Sequence, residues 1–216
     1  MSRTAIMLKS ALLAGAAALM LGLGGCLSLL PEPMIPEALI ALPADRAQAP
    51  ADALEADVGV FPPDASRAYS GVDIAVADQQ ELVYLADVRW SDAAPRLLQG
   101  AVIDALSKAG GEGQVTSAQQ GTRTDYDLRW RVVDLSVSKG VGPVKVVVDA
   151  SVVDSQTRRV VGQERFSAEG SPTGAEPRAR AAALALAAQS VADQVAAFVA
   201  TVAVAKTDPV AVAPPN

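Results

Sequence analysis

Alternating apolar and polar residues predict two groups of β-strands in the middle of the chain. The first group is short and lies at 57–61, 72–76 and 83–88. The second group is longer, at 128–137, 144–152 and 160–168, and is expected to pair as an antiparallel meander. Within the first long segment the apolar phase shifts at Val132–Val133. That shift predicts a β-bulge, because a bulge adds one residue to one strand.

Apolar residues spaced three and four apart predict two helices. The first follows Trp90, with Ser91 or Asp92 as its cap, Pro95 in its first turn and Gly110-Gly111 at its end.

The second helix is predicted from about Pro177 to Val202, and Thr173 and Glu176 have the spacing of a capping box. Only one charge, that of Asp193, falls between residues 181 and 205, so a membrane span is an alternative. Packing on the sheet is favoured, because alanine contributes little to membrane insertion.

These elements predict a single α/β domain of the α+β kind over residues 57–203. A mostly antiparallel sheet would carry one helix after the Trp90 segment and the long C-terminal helix packed on it. Residues 26–56 are rich in Pro and Ala and are interpreted as a tether, and 204–216 as a disordered tail.

The first 25 residues have the layout of an export signal. Arg3 and Lys9 precede an apolar run at 10–22 that is too short to span a bilayer comfortably. Leu23-Gly24-Gly25-Cys26 then resembles the lipobox of bacterial lipoproteins, which implies cleavage before Cys26 and lipid, palmitate included, on its thiol. Leu27 would imply the outer membrane rather than the inner one. An ordinary signal peptide with a chance cysteine is the alternative.

Composition argues against several classes of function. The chain has 18 basic and 24 acidic residues, and the first 25 residues hold two of the basic ones, so the remainder carries a net charge of −8. An acidic surface does not attract nucleic acid. There is no His, and the single Cys is assigned to lipid, so no catalytic residue, metal site or cofactor is predicted. Asp125 and Asp127 could be imagined as metal ligands, but a solvated strand edge is favoured.

The segment 79–95 holds the candidate contact residues Tyr84, Arg89 and Trp90. Tyrosine and tryptophan are scarce in this chain, with 3 and 2 copies. Each could contact a partner protein or lipid, or could anchor the sheet to the first helix.

An ordered series of short motifs resembles one known family. A strand at 72–76 and a Tyr-containing segment at 82–85 precede Ala86-Asp87-Val88-Arg89-Trp90-Ser91-Asp92, which is similar to the family's "ARWAD" stretch. Asp125-Tyr126-Asp127-Leu128 resembles its "DYxL" strand opening, and an Ala-rich helix closes the series. The family is that of the ABC-type transport auxiliary lipoproteins, PqiC-like components that accompany MCE-type lipid transporters.

The resemblance implies a periplasmic, membrane-anchored protein without enzymatic activity. Its partners would be an MCE-domain protein and the permease and ATPase subunits of an ABC transporter that moves lipids or other hydrophobic molecules across the envelope. Two alternatives come from other classes. A lipoprotein regulator of a cell-wall synthase would have a similar layout, and a lipid carrier would need a sizeable apolar cavity under the sheet.

Overall fold

The computed structural model describes residues 35–205. The predicted signal peptide, the lipidated Cys26 and the first part of the predicted tether lie outside the described residues, as does most of the predicted tail.

In the described part of the chain, four strands precede the first α-helix and four more strands precede the second. In chain order these elements are β1 (Ala38–Ile40), β2 (Val58–Val60), β3 (Asp73–Asp78), β4 (Glu81–Trp90), α1 (Ala94–Leu106), β5 (Val115–Ser117), β6 (Tyr126–Ser138), β7 (Val144–Asp154), β8 (Val160–Gly170) and α2 (Pro177–Val202).

One mixed sheet contains all eight described strands, and β6 lies at its centre. On one side β7 pairs antiparallel with β6, and β8 pairs antiparallel with β7. On the other side β2 runs parallel to the start of β6 and β3 runs parallel to its end. β4 forms an antiparallel hairpin with β3, while β1 joins β4 and β5 joins β2 in parallel. The predicted single α+β domain is confirmed. Its sheet was predicted to be mostly antiparallel and is mixed: four of the seven pairings among the described strands are parallel, although the three antiparallel ladders hold most of the paired residues.

The β-bulge predicted in β6 is present, since the register with β7 shifts between Val132 and Asp134. Leu128, Trp130 and Val132 are buried before the bulge, and Leu135 and Val137 after it. The bulge therefore keeps the apolar side chains of a long strand on the face that the helices cover, although their spacing in sequence changes by one.

Both helices pack together on one face of the sheet. α2 is long and apolar enough to cross a membrane by length and composition alone. Its apolar side, including Leu184, Val191 and Val195, is however fully buried in the core. Each such side chain contributes roughly 1.5–3 kcal/mol relative to exposure to water. α2 is therefore a core helix, as the sequence favoured.

The predicted side-chain caps do not form. α1 begins after Ala93, and the Asp92 carboxylate accepts a hydrogen bond from the Ala93 N–H at 2.7 Å without capping the helix. α2 begins after Glu176, also without a side-chain cap. Both helices have proline in their first turn, which removes an N–H that a cap would otherwise satisfy. α1 also ends at Leu106, before the predicted glycines.

Residues 36–56 are packed into the domain, whereas the sequence assigned them to the tether. β1 pairs with β4, and Leu54 and Ala56 are buried. The Leu54 N–H donates to the Gly110 carbonyl at 2.7 Å, and the Gly113 N–H donates to the Leu54 carbonyl at 2.8 Å. The domain thus begins near residue 36. A three-residue strand between prolines shows no alternation, which is why sequence patterning missed β1, and β5 is equally short.

Candidate functional site: the β3–β4 hairpin

The first part of β4 is exposed to solvent. β1 pairs only with Val88, Arg89 and Trp90, so the described strands leave the outer edge of residues 81–86 without a neighbour. Leu82, Val83 and Tyr84 are consecutive apolar or aromatic residues, and each is about half exposed, at 45%, 50% and 50%. Because consecutive side chains in a strand point to opposite faces, both faces of the hairpin present apolar surface.

A wide bulge interrupts β4 near its middle. Tyr84 lies opposite Ala75 and Arg89 lies opposite Asp73, so four residues of β4 face the single residue Ile74 of β3. Residues five apart in a regular strand point to opposite faces. The bulge instead places Tyr84 and Arg89 on the same face of the sheet, the face away from the helices.

Asp87, within the bulge, adopts a left-handed backbone conformation with φ of 61°. Such a conformation costs a non-glycine residue on the order of 1–3 kcal/mol, so surrounding contacts must hold it in place. One of them is a hydrogen bond of 2.7 Å from the Glu37 N–H to the Asp87 carbonyl. Glu37 immediately precedes β1, so the bulge is also where the chain joins the domain.

Arg89 lies on the surface at the base of the hairpin. Its Nε is 3.1 Å from an Asp73 carboxylate oxygen, and both side chains are about half exposed. Exposed ion pairs contribute only about 0–1 kcal/mol, so the guanidinium can exchange this carboxylate for one on a partner at little cost.

Trp90 points to the opposite face and is only 3% exposed. It borders an apolar pocket whose other lining residues are Leu42, Ala94, Leu97, Leu98, Leu135 and Ala188. The structure therefore places Trp90 in the core, the alternative that the sequence left open, and leaves Tyr84 and Arg89 at the surface. The same pocket has no volume that a water molecule could occupy, so it is not the lipid cavity that a carrier would need.

Charged groups on the open face of the sheet are paired with one another. Hydrogen bonds from Arg165, and then from Arg131, lower the pKa of Asp149 to about 2. Burial and the neighbouring Asp134 carboxylate raise the pKa of Tyr69, whose hydroxyl donates to Asp134 at 3.4 Å. At neutral pH Tyr69 is therefore uncharged and Asp149 is ionised, as each would be in water.

Asp125 and Asp127 make structural contacts. An Asp125 carboxylate oxygen accepts a hydrogen bond from the Asp57 N–H at 3.2 Å. An Asp127 carboxylate oxygen lies 3.6 Å from a guanidinium nitrogen of Arg129. Asp127 is buried, so the prediction of a solvated strand edge is wrong for this residue. Within residues 35–205 no cluster of three or more His, Cys, Asp or Glu side chains is placed to hold a metal ion.

Comparison with known proteins identifies the family. The family model described as "ABC-type transport auxiliary lipoprotein component" matches residues 39–196. The chain belongs to this family. The match begins inside β1 and ends inside α2, so the family domain includes the segment that the sequence had assigned to the tether.

Two solved structures have a similar fold. Protein XCC0632 from Xanthomonas campestris is 20% identical, with a TM-score of 0.64 over 72% of this chain and 91% of that one. A second structure, of an uncharacterized protein, is 13% identical, with a TM-score of 0.59 over 76% of this chain and 99% of that one. At these identities the likeness establishes the fold alone. A comparison with curated protein sequences finds no match.

Sequence reasoning found Tyr84 and Arg89 but missed what brings them together. The bulge in β4 has no apolar phase shift to reveal it, because both faces of the hairpin are exposed and neither is selected for burial. The sequence did carry one signal: Leu82, Val83 and Tyr84 are consecutive and do not alternate with polar residues.

Proposed function

We propose that this auxiliary lipoprotein is anchored by lipid on Cys26 and serves an MCE-type ABC transporter that moves lipids or other hydrophobic molecules across the envelope. Membership of the auxiliary lipoprotein family supports an accessory, non-enzymatic role in ABC-type transport. The observation that carries the proposal is the exposed hairpin surface at Tyr84 and Arg89, where the domain offers an unpaired strand edge and an exchangeable arginine.

Cys26 is the proposed attachment point of the lipid. The lipobox-like sequence before it supports cleavage and acylation, and Leu27 supports the outer membrane as the destination. Cys26→Ser should leave the domain folded, because the described core begins near residue 36. The variant should appear in the soluble periplasmic fraction and lose the acyl mass on its N-terminal residue. A variant that stays in the membrane fraction would contradict the anchor.

Tyr84 and Arg89 are the proposed contacts for the MCE-domain partner. A partner strand could pair with the free edge of β4, since edge strands present unpaired N–H and C=O groups. The adjacent guanidinium would select a partner with a carboxylate at that position. The permease and ATPase subunits would join through this partner.

Crosslinked envelopes provide the test of this proposal. Full-length lipidated protein should co-purify with an MCE-domain protein, and Arg89→Glu should reduce the recovered amount several-fold by placing like charges together. Arg96→Glu is the matched control, because Arg96 also forms an exposed ion pair with an aspartate, at 3.8 Å from Asp92.

Two results would count against the proposal. Equal recovery with both variants would remove the hairpin as the contact surface. Recovery of a peptidoglycan synthase in place of an MCE-domain protein would favour the cell-wall alternative.

A further inference from the structure

We propose that a groove between residues 39–51 and α2 binds a single-chain amphiphile whose headgroup carries both an ammonium and a phosphate. We call it the α2 groove. Its lining residues do not include those of the β3–β4 hairpin, so the site is separate from the proposed partner contact. The inference goes beyond docking, because it gives the domain a ligand of its own.

The α2 groove consists of two adjoining cavities. One, of about 410 Å³, lies beside residues 48–51, and the other, of about 390 Å³, lies beside residues 39–43. Arg46 and Leu186 line both cavities, so one continues into the other. Each volume is within the range of small-molecule sites in proteins. The lining residues of α2 run from Ala182 to Ala197, a length of about 22 Å along the helix.

The cavity beside residues 39–43 is mostly apolar. Apart from Asp45 and Arg46, its lining residues are Leu39, Ile40, Ala41, Pro43, Ala182, Ala185 and Leu186. Leu39 is 62% exposed and Leu186 is 44% exposed, so both side chains meet water in the described domain. An acyl chain lying between β1 and α2 would remove apolar surface of both from water, which is favourable.

The cavity beside residues 48–51 contains one cation and one anion. Asp193, the single charge between residues 181 and 205, accepts hydrogen bonds from the Gln48 N–H at 3.2 Å and from Gln189 Nε2 at 2.9 Å. Both bonds go to Oδ1, so Oδ2 can accept a bond from a ligand. Arg46 is exposed and belongs to none of the ion pairs among the described residues. Opposite charges at one end of a groove suit a zwitterionic headgroup.

Gln189 provides a second, independent indication of a ligand. Its side chain is 3% exposed, and its Oε1 has no hydrogen-bond partner within residues 35–205. A buried acceptor without a donor is unfavourable. An ammonium group carries only donors, and one bound at Asp193 could also donate to Gln189, because these two side chains are hydrogen-bonded to each other. The Arg46 guanidinium would bind the phosphate.

Photolabelling with a lysophospholipid provides the test. Full-length lipidated protein in phosphatidylcholine vesicles is irradiated with lysophosphatidylethanolamine that carries a diazirine on its acyl chain, and the labelled peptides are identified by mass spectrometry. We expect label on residues 39–43 and 182–186. Lysophosphatidylglycerol with the same diazirine lacks the ammonium and should label these residues several-fold less.

Arg46→Glu should reduce the labelling by lysophosphatidylethanolamine several-fold, because it places a carboxylate beside the phosphate. Arg67→Glu is the matched control and should leave the labelling unchanged. Arg67 is also an exposed arginine outside the ion pairs of the described residues, and it lies in the loop between β2 and β3. Equal melting temperatures of the two variants check that both are folded.

Two results would overturn the proposal. One is equal labelling by the two lysolipids, or labelling that Arg46→Glu leaves unchanged, since the lipid would then contact the groove without recognition of its headgroup. The other is no label in the groove, as expected if residues 27–34 of this chain already cover it. A protein that gave either result but still co-purified with an MCE-domain protein would lose the lipid site and keep the proposed function.

Discussion

Replacing Trp90 by alanine should unfold the domain far more easily than replacing Tyr84. Trp90 is 3% exposed among apolar side chains from α1, α2 and the sheet, so its truncation leaves a large cavity. Tryptophan-to-alanine changes in cores cost about 3–5 kcal/mol. For a domain of this size each kcal/mol lowers the melting temperature by about 2–4 °C, so a fall of roughly 6–20 °C is expected.

Tyr84→Ala is the matched variant on the same strand. Tyr84 is half exposed on the protruding part of the hairpin, so its truncation should cost about 1 kcal/mol or less. Urea unfolding followed by circular dichroism measures both changes in the free energy of unfolding. Co-purification with the MCE-domain protein should then be reduced by Tyr84→Ala. A Trp90→Ala protein of nearly normal stability that lost its partner would refute the assignment of Trp90 to the core.

Two further predictions concern local contacts. Gly111→Ala should lower the free energy of unfolding in urea by about 2 kcal/mol or more. Gly111 has φ of +105°, and a Cβ there would lie 2.3 Å from the Leu54 carbonyl oxygen. Gly174→Ala is the control and should be nearly neutral, because the space around Gly174 is open. The lowered pKa of Asp149 stabilises the fold above the ordinary pKa of 3.8, and this contribution is lost as the pH falls toward about 2. Between pH 4 and pH 2 the Asp149→Asn variant should therefore lose about 1 kcal/mol less stability than the unsubstituted protein. An equal loss in the two proteins would contradict the pairing.

Long elements were predictable from sequence because many residues repeat the same signal. The 26 residues of α2 carry a sustained apolar stripe, and the predicted bounds Pro177–Val202 agree with the structure. The bulge in β6 was predictable for a related reason. One face of that strand is buried on both sides of Val132, so a change of register must appear as a change of apolar phase.

Features that depend on neighbours distant in sequence were not predictable. β1 has three residues and is a strand only because β4 offers an edge to pair with. The side chains of Trp90 and Tyr84 lie six residues apart on one strand, yet one is buried and the other exposed. The difference comes from the bulge in β4, which turns Tyr84 to the face away from the helices, whereas Trp90 lies on the face that α1 and α2 cover. The residues around a strand do not indicate which of its faces a helix from another part of the chain will cover.

A photo-crosslinking residue at position 89, in the lipidated protein within intact envelopes, tests the central claim most directly. The same residue at position 96 is the control, since Arg96 is an exposed arginine of a comparable ion pair on α1. We expect position 89 to crosslink to an MCE-domain protein, identified by mass spectrometry, and position 96 to give none of that product. Crosslinks of equal strength at both positions, or none to an MCE-domain protein at position 89, would contradict the proposal that this hairpin joins a lipid-anchored subunit to its transporter.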